Sequence, residues 1–84
     1  MREEIKKLGF KEINNGTHAI FYESTLYNDY YKENVKVTID YCFKGDFENR
    51  ISIRSSCSFF KFTGYLETKE DLIFILNKMK FIVK

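Results

Sequence analysis

Apolar and polar residues alternate most clearly near the end of the chain, where the period is that of a helix. The segment from Thr68 to Lys80 reads TKEDLIFILNKMK, and Thr68 stands where an N-cap accepts a hydrogen bond from a first-turn N–H. Its principal apolar residues share one helical stripe, and they are Leu72, Ile75, Leu76 and Met79. Ile73 and Phe74 widen this apolar arc. We therefore predict a C-terminal amphipathic helix lying in a concave sheet surface.

The first residues predict a second, shorter helix. Met1, Ile5 and Leu8 have helical spacing, and Gly9 follows them as a stop signal. A helix of about two turns is marginal in water on its own. This segment is therefore expected to be helical only because its apolar residues dock onto the rest of the domain.

A hairpin is predicted next, around Asn15-Gly16, the dipeptide that best tolerates the positive φ angles of a two-residue turn. That turn would pair Ile13 with His18 and Phe10 with Phe21. Both faces of the hairpin would then carry apolar side chains. We expect this hairpin to be partly covered on both sides.

Val35 to Phe43 is the clearest strand, because apolar side chains occupy every second position. Alternation resumes from Arg50 to Ser55 after a turn at 44–49. One register that matches the apolar faces places Tyr41 opposite Ile53 and Phe43 opposite Ile51. Asp40 would then face Arg54 on the solvent side.

Two segments break the alternation. Ser24 to Asn34 has neither strand nor helix period, which predicts a loop or irregular edge. The alternation also changes phase beyond Ser55 to Ser58, so a bulge or bend is expected there. Phe60 and Phe62 would then either be covered by other elements or share the solvent face of the sheet. Together these elements predict one α+β domain over residues 1–84, in the order α-β-β-β-β-α. Its antiparallel sheet of four to five strands would carry the C-terminal helix on one face.

Composition narrows the function classes. The formal charge is only +2, which by itself favours neither a nucleic-acid binder nor a nucleic-acid mimic. Aromatic residues make up 18% of the chain, more than a small core readily hides, so exposed rings are expected. Cys42 and Cys57 are too far apart in sequence for a metal-binding pair and predict reduced thiols. The charged start and the lack of a long apolar run predict a cytoplasmic protein without a membrane span.

The sequence contains little that suggests catalysis. His18 is the single histidine and would need Cys42 or Cys57 beside it to form a nucleophilic pair. The four glycines are scattered and form no phosphate-binding loop. We therefore predict a protein that is not an enzyme, with no catalytic residues, metal ligands, cofactor or small-molecule substrate.

Two binding surfaces remain as hypotheses. The first is the segment around Ser24 to Asn34, where tyrosines and carboxylates suit a protein partner; its residues are Tyr27, Asp29, Tyr30, Tyr31 and Glu33. The second is the solvent face of the sheet, where basic and aromatic residues suit single-stranded nucleic acid; its cations are Lys36, Arg50, Arg54 and Lys61. Exposed sheet edges leave room for a homodimer.

The whole chain resembles, in size and character, small phage and mobile-element proteins that inhibit host defence, including anti-CRISPR proteins. The resemblance is carried by the Asn15-Gly16 hairpin, the alternating Val35 to Phe43 strand and the TKEDLIFILNKMK helix. It implies an inhibitor that occupies the surface of a host protein, such as a nucleic-acid-binding effector complex. Small bacterial immunity proteins are similar in the same respects, which implies a rival toxin as the alternative partner.

Overall fold

The chain forms one antiparallel sheet, with one helix before the strands in the sequence and one helix after them. The computed structural model describes residues 1–56 and 61–83. Its helices are α1 (Arg2–Lys7) and α2 (Lys69–Lys78), and its strands are β1 (Lys11–Asn15), β2 (Ala19–Asn28), β3 (Glu33–Cys42), β4 (Arg50–Ser55) and β5 (Lys61–Tyr65). The strands lie in the order β1-β2-β3-β4-β5, and each neighbouring pair is antiparallel. The predicted α+β class and element order are confirmed, with five strands.

One face of the sheet is covered and the other is open. The covered side, here the inner face, carries the buried strand residues Ile20, Tyr22, Val35, Val37, Ile39, Tyr41, Ile51 and Ile53. They form one core cluster with Ile5 of α1 and with Leu72 and Leu76 of α2. Both helices therefore lie on the inner face, and each fully buried aliphatic side chain contributes about 1.5–3 kcal/mol. The opposite side is the outer face, formed by strand residues that include Phe21, Glu23, Thr38, Asp40, Ser52 and Arg54.

The C-terminal helix confirms most of its sequence signals. Thr68 Oγ1 accepts a hydrogen bond of 3.1 Å from the backbone N–H of Asp71, as an N-cap should. Leu72 and Leu76 are fully buried. The expectation that the sheet wraps around a wider apolar arc is wrong, because Phe74 is 58% exposed. Its ring lies instead under Lys78 Nζ, 5.4 Å from the ring centroid.

Both helices end in the same way. After α1, Gly9 has φ +95° and its N–H bonds to the Lys6 carbonyl, while Phe10 N–H reaches the Ile5 carbonyl. After α2, Lys80 has φ +70°, and the corresponding bonds run from Lys80 to Asn77 and from Phe81 to Leu76. These are Schellman motifs, in which the residue after the left-handed position turns back onto the helix. Each one directs a phenylalanine, Phe10 or Phe81, into the core.

The first hairpin differs from the predicted register. Asn15 pairs with Ile20 and Asn14 with Phe21, and Gly16 N–H closes the turn on the Ala19 carbonyl at 2.8 Å. The turn is therefore centred on Thr17 and His18 rather than on Asn15-Gly16. The register also shifts between Glu12 and Asn14. The expected pairing of Phe10 with Phe21 is wrong, because a β-bulge absorbs one residue and the Schellman motif withdraws Phe10 into the core.

The β3–β4 register is displaced by two residues from the prediction. Tyr41 pairs with Ile51 rather than Ile53, so Asp40 lies opposite Ser52 and does not face Arg54. The displacement reflects the connecting loop, which ends at Asn49 with φ +73° and a hydrogen bond from the Tyr41 hydroxyl to Asn49 Oδ1 at 3.2 Å. A shift of two keeps each side chain on its predicted face.

The segment from Ser24 to Asn34 is not a loop. Strand β2 continues to Asn28, a turn occupies residues 29–32, and β3 begins at Glu33. Alternation is hidden here because polar residues, Ser24 and Asn28, occupy inner-face positions. The prediction of an irregular edge is therefore wrong.

The phase change near Ser55 marks a reversal of the chain. Strand β5 runs antiparallel to β4, and Phe62 pairs with Ile53. Directly paired residues share a face, so Phe62 packs against the core on the inner face, and it is not one of the rings that share the outer face with the basic residues. The predictions for Phe60 and Cys57 lie outside the described residues. Cys42 is a buried free thiol.

Candidate functional site

The centre of the candidate site is Asn28, a polar residue that is 0% exposed. Its amide nitrogen donates to the Met79 carbonyl at 3.0 Å, at the C-terminal end of α2. Its amide oxygen accepts the backbone N–H groups of Tyr30 and Tyr31, both at 3.0 Å. The side chain therefore joins the end of a helix to the turn between two strands, and its buried polar atoms are all paired.

The turn itself has one defined conformation. Lys32 N–H bonds to the Asn28 carbonyl at 2.8 Å, and Lys32 has the left-handed φ of +59°. Lys32 Nζ lies 2.9 Å from Asp29 Oδ1. This hydrogen bond raises the pKa of Lys32, although both groups are exposed and the pair adds little stability. The conformation is held mainly by the backbone and Asn28.

The residues after α2 close the other side of the turn. Asp29 N–H bonds to the Lys80 carbonyl at 2.7 Å, and Ile82 N–H bonds to the Tyr27 carbonyl at 2.9 Å. Phe81, almost fully buried, forms an antiparallel bridge with Asn28. The segment that follows α2 thus extends the sheet beside the end of β2.

Three tyrosine rings project from this support, and we name them the tyrosine tip: Tyr27, Tyr30 and Tyr31. Tyr30 is 68% exposed, Tyr27 is 39% exposed and Tyr31 is half-buried. The rings of Tyr30 and Tyr31 meet edge to face with centroids 5.0 Å apart. The tip combines exposed aromatic area with a fixed backbone.

A pocket of about 260 Å³ adjoins the tip. It is lined by Leu8, Thr25, Leu26, Tyr27, Asn34 and Ile82. Ile82 is itself half exposed, so the pocket mouth and the tip form one partly apolar surface. Such a pocket has room for a single side chain of a partner.

The structure brings most of the predicted protein-binding residues together. Tyr27, Tyr30 and Tyr31 share one end of the β2–β3 hairpin, and Glu33 begins β3 as an exposed residue beside them. Asp29 is also exposed, but its carboxylate is engaged by Lys32. Sequence reasoning missed Asn28 and left the role of the segment Phe81 to Val83, which contains Ile82, undecided. An asparagine placed just before a polar turn was the available signal for Asn28.

The second candidate surface is the outer face. Lys11, Glu23, Thr38, Arg54 and Lys61 form one row across the five strands. In the paired strands of the described ranges this face carries five basic and two acidic residues; the basic ones are Lys11, Lys36, Arg50, Arg54 and Lys61. All four predicted nucleic-acid contacts are among them. Lys36 Nζ lies 3.7 Å from Glu23 Oε1, an exposed and weak pair.

One end of the outer face holds a wide hollow of about 540 Å³. Its lining residues are His18, Ala19, Asp40, Cys42, Lys44, Gly45, Asp46, Phe47 and Arg50. The Arg50 guanidinium stacks 4.4 Å from the centroid of the Phe47 ring. Tyr65, which is 59% exposed, pairs with Arg50 on the neighbouring strand. Cations and stackable rings are thus adjacent, although Phe62 is not one of them.

His18 and Cys42 line the same hollow, but each has a partner of its own. His18 Nδ1 lies 3.0 Å from Thr17 Oγ1, and the Cys42 thiol donates to the Lys44 carbonyl at 3.3 Å. Within residues 1–56 and 61–83 there is no cluster of three or more potential metal ligands. Neither helix of the described chain has the length and apolarity needed to cross a membrane.

Two buried phenols lie on the inner face near α1. Burial raises the pKa of Tyr22 and of Tyr41, because the charged phenolate is poorly solvated there. Tyr41 donates to Asn49, whereas the Tyr22 hydroxyl has no hydrogen-bond partner in the part of the chain that the structure describes. The Arg2 side chain is near enough to Tyr22 to oppose part of its shift. These groups are interior and far more suited to packing than to binding.

Comparison with known proteins returned no match: no protein-family model, curated protein or solved structure is similar to this chain.

Proposed function

We propose that this chain is a non-enzymatic protein-binding domain that inhibits its partner by occupying part of the partner's surface. The observation that carries the proposal is the tyrosine tip: exposed rings on a turn whose backbone is held by a buried asparagine. Tyrosine and tryptophan dominate binding energy at protein interfaces. A surface that is already ordered loses little conformational entropy when it binds.

The partner would meet the tip in two ways. Tyr30 would enter a cleft of the partner, while a partner side chain would fill the pocket between Tyr27 and Ile82. Asp29 and Glu33 flank the rings, so a basic residue of the partner can compete with Lys32 for the Asp29 carboxylate. A nucleic-acid-binding host protein has basic residues of this kind.

In this proposal the protein belongs to a phage or mobile element and acts in the cytosol of the bacterial host, where it blocks a defence protein as anti-CRISPR proteins do. An immunity protein that blocks a rival toxin would use the same surface. The two roles differ in the identity of the partner and share the physical mechanism, so one capture experiment addresses both.

The test compares capture from a bacterial lysate by three immobilised proteins, with mass spectrometry as the readout. The test variant replaces Tyr27, Tyr30 and Tyr31 by Ala. A matched control removes three other exposed rings, with the substitutions Phe47→Ala, Tyr65→Ala and Phe74→Ala. We expect the native chain and the control to retain the same protein and the tip variant to lose it, with circular dichroism unchanged. Equal capture by the tip variant contradicts the proposal.

A second candidate function, binding of single-stranded nucleic acid, is favoured by the basic row and the adjacent rings of the outer face. Backbone phosphates would follow Lys11, Arg54 and Lys61 across the strands, and a base would stack on Phe47 or Tyr65. Such binding depends on the release of counterions and weakens steeply with salt.

Fluorescence anisotropy with a labelled single-stranded oligonucleotide tests this second function. The triple substitution of Arg50, Arg54 and Lys61 by Glu should abolish binding at low salt. The same charge change placed on the helices, at the exposed residues Lys6, Lys7 and Lys78, should leave most of it. If the native chain shows no binding at low salt, the second function is rejected.

A further inference from the structure

The two edges of the sheet differ in how well they are protected. Strand β1 contains the bulge between Glu12 and Asn14, and an irregular edge strand is a poor template for further pairing. Strand β5 is regular, because its register with β4 runs without a shift from Arg50–Tyr65 to Arg54–Lys61. No described strand pairs with its other side. The β5 edge is therefore the accessible one.

The hydrogen-bonding direction of each β5 residue follows from the ladder. Ser56 N–H bonds to the Lys36 carbonyl. The even-numbered residues of β4 therefore direct their backbone N–H and C=O groups towards β3. The backbone groups of the odd-numbered residues, Ile51 and Ile53, are then directed towards β5, where Ile51 pairs with Gly64 and Ile53 with Phe62. The remaining β5 residues consequently direct their backbone N–H and C=O groups to the free edge; they are Lys61, Thr63 and Tyr65.

We propose that β5 pairs with β5 of a second copy of this chain, antiparallel and in register about Thr63. This register overlaps the whole strand and sets every edge-directed residue opposite another edge-directed residue. Lys61 lies opposite Tyr65 of the partner subunit, and Phe62 lies opposite Gly64 of the partner subunit. A two-fold axis passes between the two Thr63 residues, as expected for an isologous dimer.

The side chains fit this register on both faces. On the outer face no like charges oppose each other, since the ammonium of Lys61 meets the exposed ring of Tyr65 from the partner subunit. On the inner face Gly64 leaves space that a side chain would fill. A Cβ on Gly64 would lie 2.7 Å from the end of the Phe62 ring, which shows that the ring lies over the glycine. Each Phe62 ring thus covers Gly64 of its own copy, which is the residue that lies opposite Phe62 of the partner subunit. The two Phe62 rings then become diagonal neighbours across the two-fold axis.

The inference concerns a different part of the molecule from the tyrosine tip. The dimer would join two outer faces into one continuous ten-stranded sheet, while both tips would stay free. A strand pair of five residues is a small interface, so the affinity is expected at the weak end of specific association. Loss of the dimer therefore leaves the proposed partner binding intact, and loss of partner binding leaves the dimer intact.

Sedimentation equilibrium from about 10 μM to about 1 mM tests the proposal. The native chain should show a concentration-dependent monomer–dimer equilibrium. Thr63→Pro removes an edge-directed N–H without removing a backbone hydrogen bond to β4, and it should weaken dimerisation by more than about tenfold. It also removes the exposed 3.2 Å hydrogen bond between the Thr63 and Ser52 hydroxyls. Thr63→Lys provides a second variant, because it places two ammonium groups across the axis.

The matched control is a proline on the opposite edge. Glu12 lies between the β1 residues that bond to β2, so its N–H points outward and Glu12→Pro should dimerise like the native chain. Circular dichroism verifies that each variant is folded. A native chain that remains monomeric at about 1 mM, or a folded Thr63→Pro variant that dimerises normally, overturns the inference.

Discussion

The substitution that tests the candidate site most directly is Asn28→Ala. It removes a side chain that is fully buried and makes three hydrogen bonds of 3.0 Å. The Met79 carbonyl and the N–H groups of Tyr30 and Tyr31 would all lose their hydrogen bond to the Asn28 side chain.

The expected cost can be worked out from these three groups. An orphaned buried polar group costs about 1–3 kcal/mol, and a partly exposed one costs less because water replaces the lost partner. The hydrogen bond to the Met79 carbonyl is buried, so losing it carries the full cost. The hydrogen bonds to the two turn N–H groups are partly buried, so losing each of them costs less. We expect Asn28→Ala to lower the free energy of unfolding by about 3 kcal/mol, a large share of the 5–15 kcal/mol typical of small domains.

Asn28→Asp separates the donor from the acceptor role. The carboxylate still accepts from the Tyr30 and Tyr31 N–H groups, but it places a negative oxygen against the Met79 carbonyl. Burial should raise the pKa of this new carboxyl in the folded state. The native state then binds more protons than the unfolded state, so the variant should regain stability relative to the native chain as the pH falls. Protonation restores a donor to the Met79 carbonyl.

Urea unfolding followed by circular dichroism provides the free energies, since the chain contains no Trp. Hydrogen exchange at the Tyr30 and Tyr31 amides reports the turn locally and should accelerate in Asn28→Ala. A loss below about 1 kcal/mol together with unchanged amide protection would refute the role assigned to Asn28.

Four further predictions concern the helix ends and the buried phenols. Lys80→Gly should stabilise the chain by up to about 1 kcal/mol in urea unfolding, because glycine tolerates the left-handed φ at this Schellman position; a loss of stability contradicts this. Gly9→Ala should lower the stability of the chain by about 1 kcal/mol, because alanine is strained at the left-handed φ of this position. An unchanged free energy of unfolding would show instead that the turn after α1 relaxes freely. Because burial raises the pKa of Tyr22 and Tyr41, the unfolded chain loses these phenolic protons first. The contribution of these two phenols to the free energy of unfolding should therefore be fully present below the unfolded pKa of about 10. It should be lost as the pH rises through their pKa values in the folded state. Tyr22→Phe should make that fall shallower. It removes a hydroxyl that has no hydrogen-bond partner among the described residues, so it should not destabilise the chain at pH 7; a loss of stability above about 1 kcal/mol would contradict this.

The elements with local signals were predictable from the sequence. The Thr68 cap, the stripe through Leu72 and Leu76, and the alternation of the β3 strand each depend on residues close together in the chain. Face assignments within β3 and β4 also hold, because they depend only on parity. Registers were not predictable, since they depend on the bulge in β1 and on the Asn49 backbone conformation. Neither the bulge nor the backbone conformation of Asn49 changes the alternation of apolar and polar residues in a way that could be recognised from the sequence.

The candidate site illustrates the same division in one place. Its tyrosines were evident from composition, yet the strand that carries Tyr27 was hidden because Ser24 and Asn28 stand at positions where periodicity expects apolar residues.

A buried asparagine is stable only when its partners are present, and one of them, the Met79 carbonyl, lies 51 residues further along the chain. No local pattern contains that contact. The tip is therefore ordered by tertiary structure rather than by its own sequence, since Asn28 joins the turn to the core while the Tyr27 and Tyr30 rings remain exposed. This arrangement leaves the aromatic surface available to a partner while the backbone beneath it stays fixed.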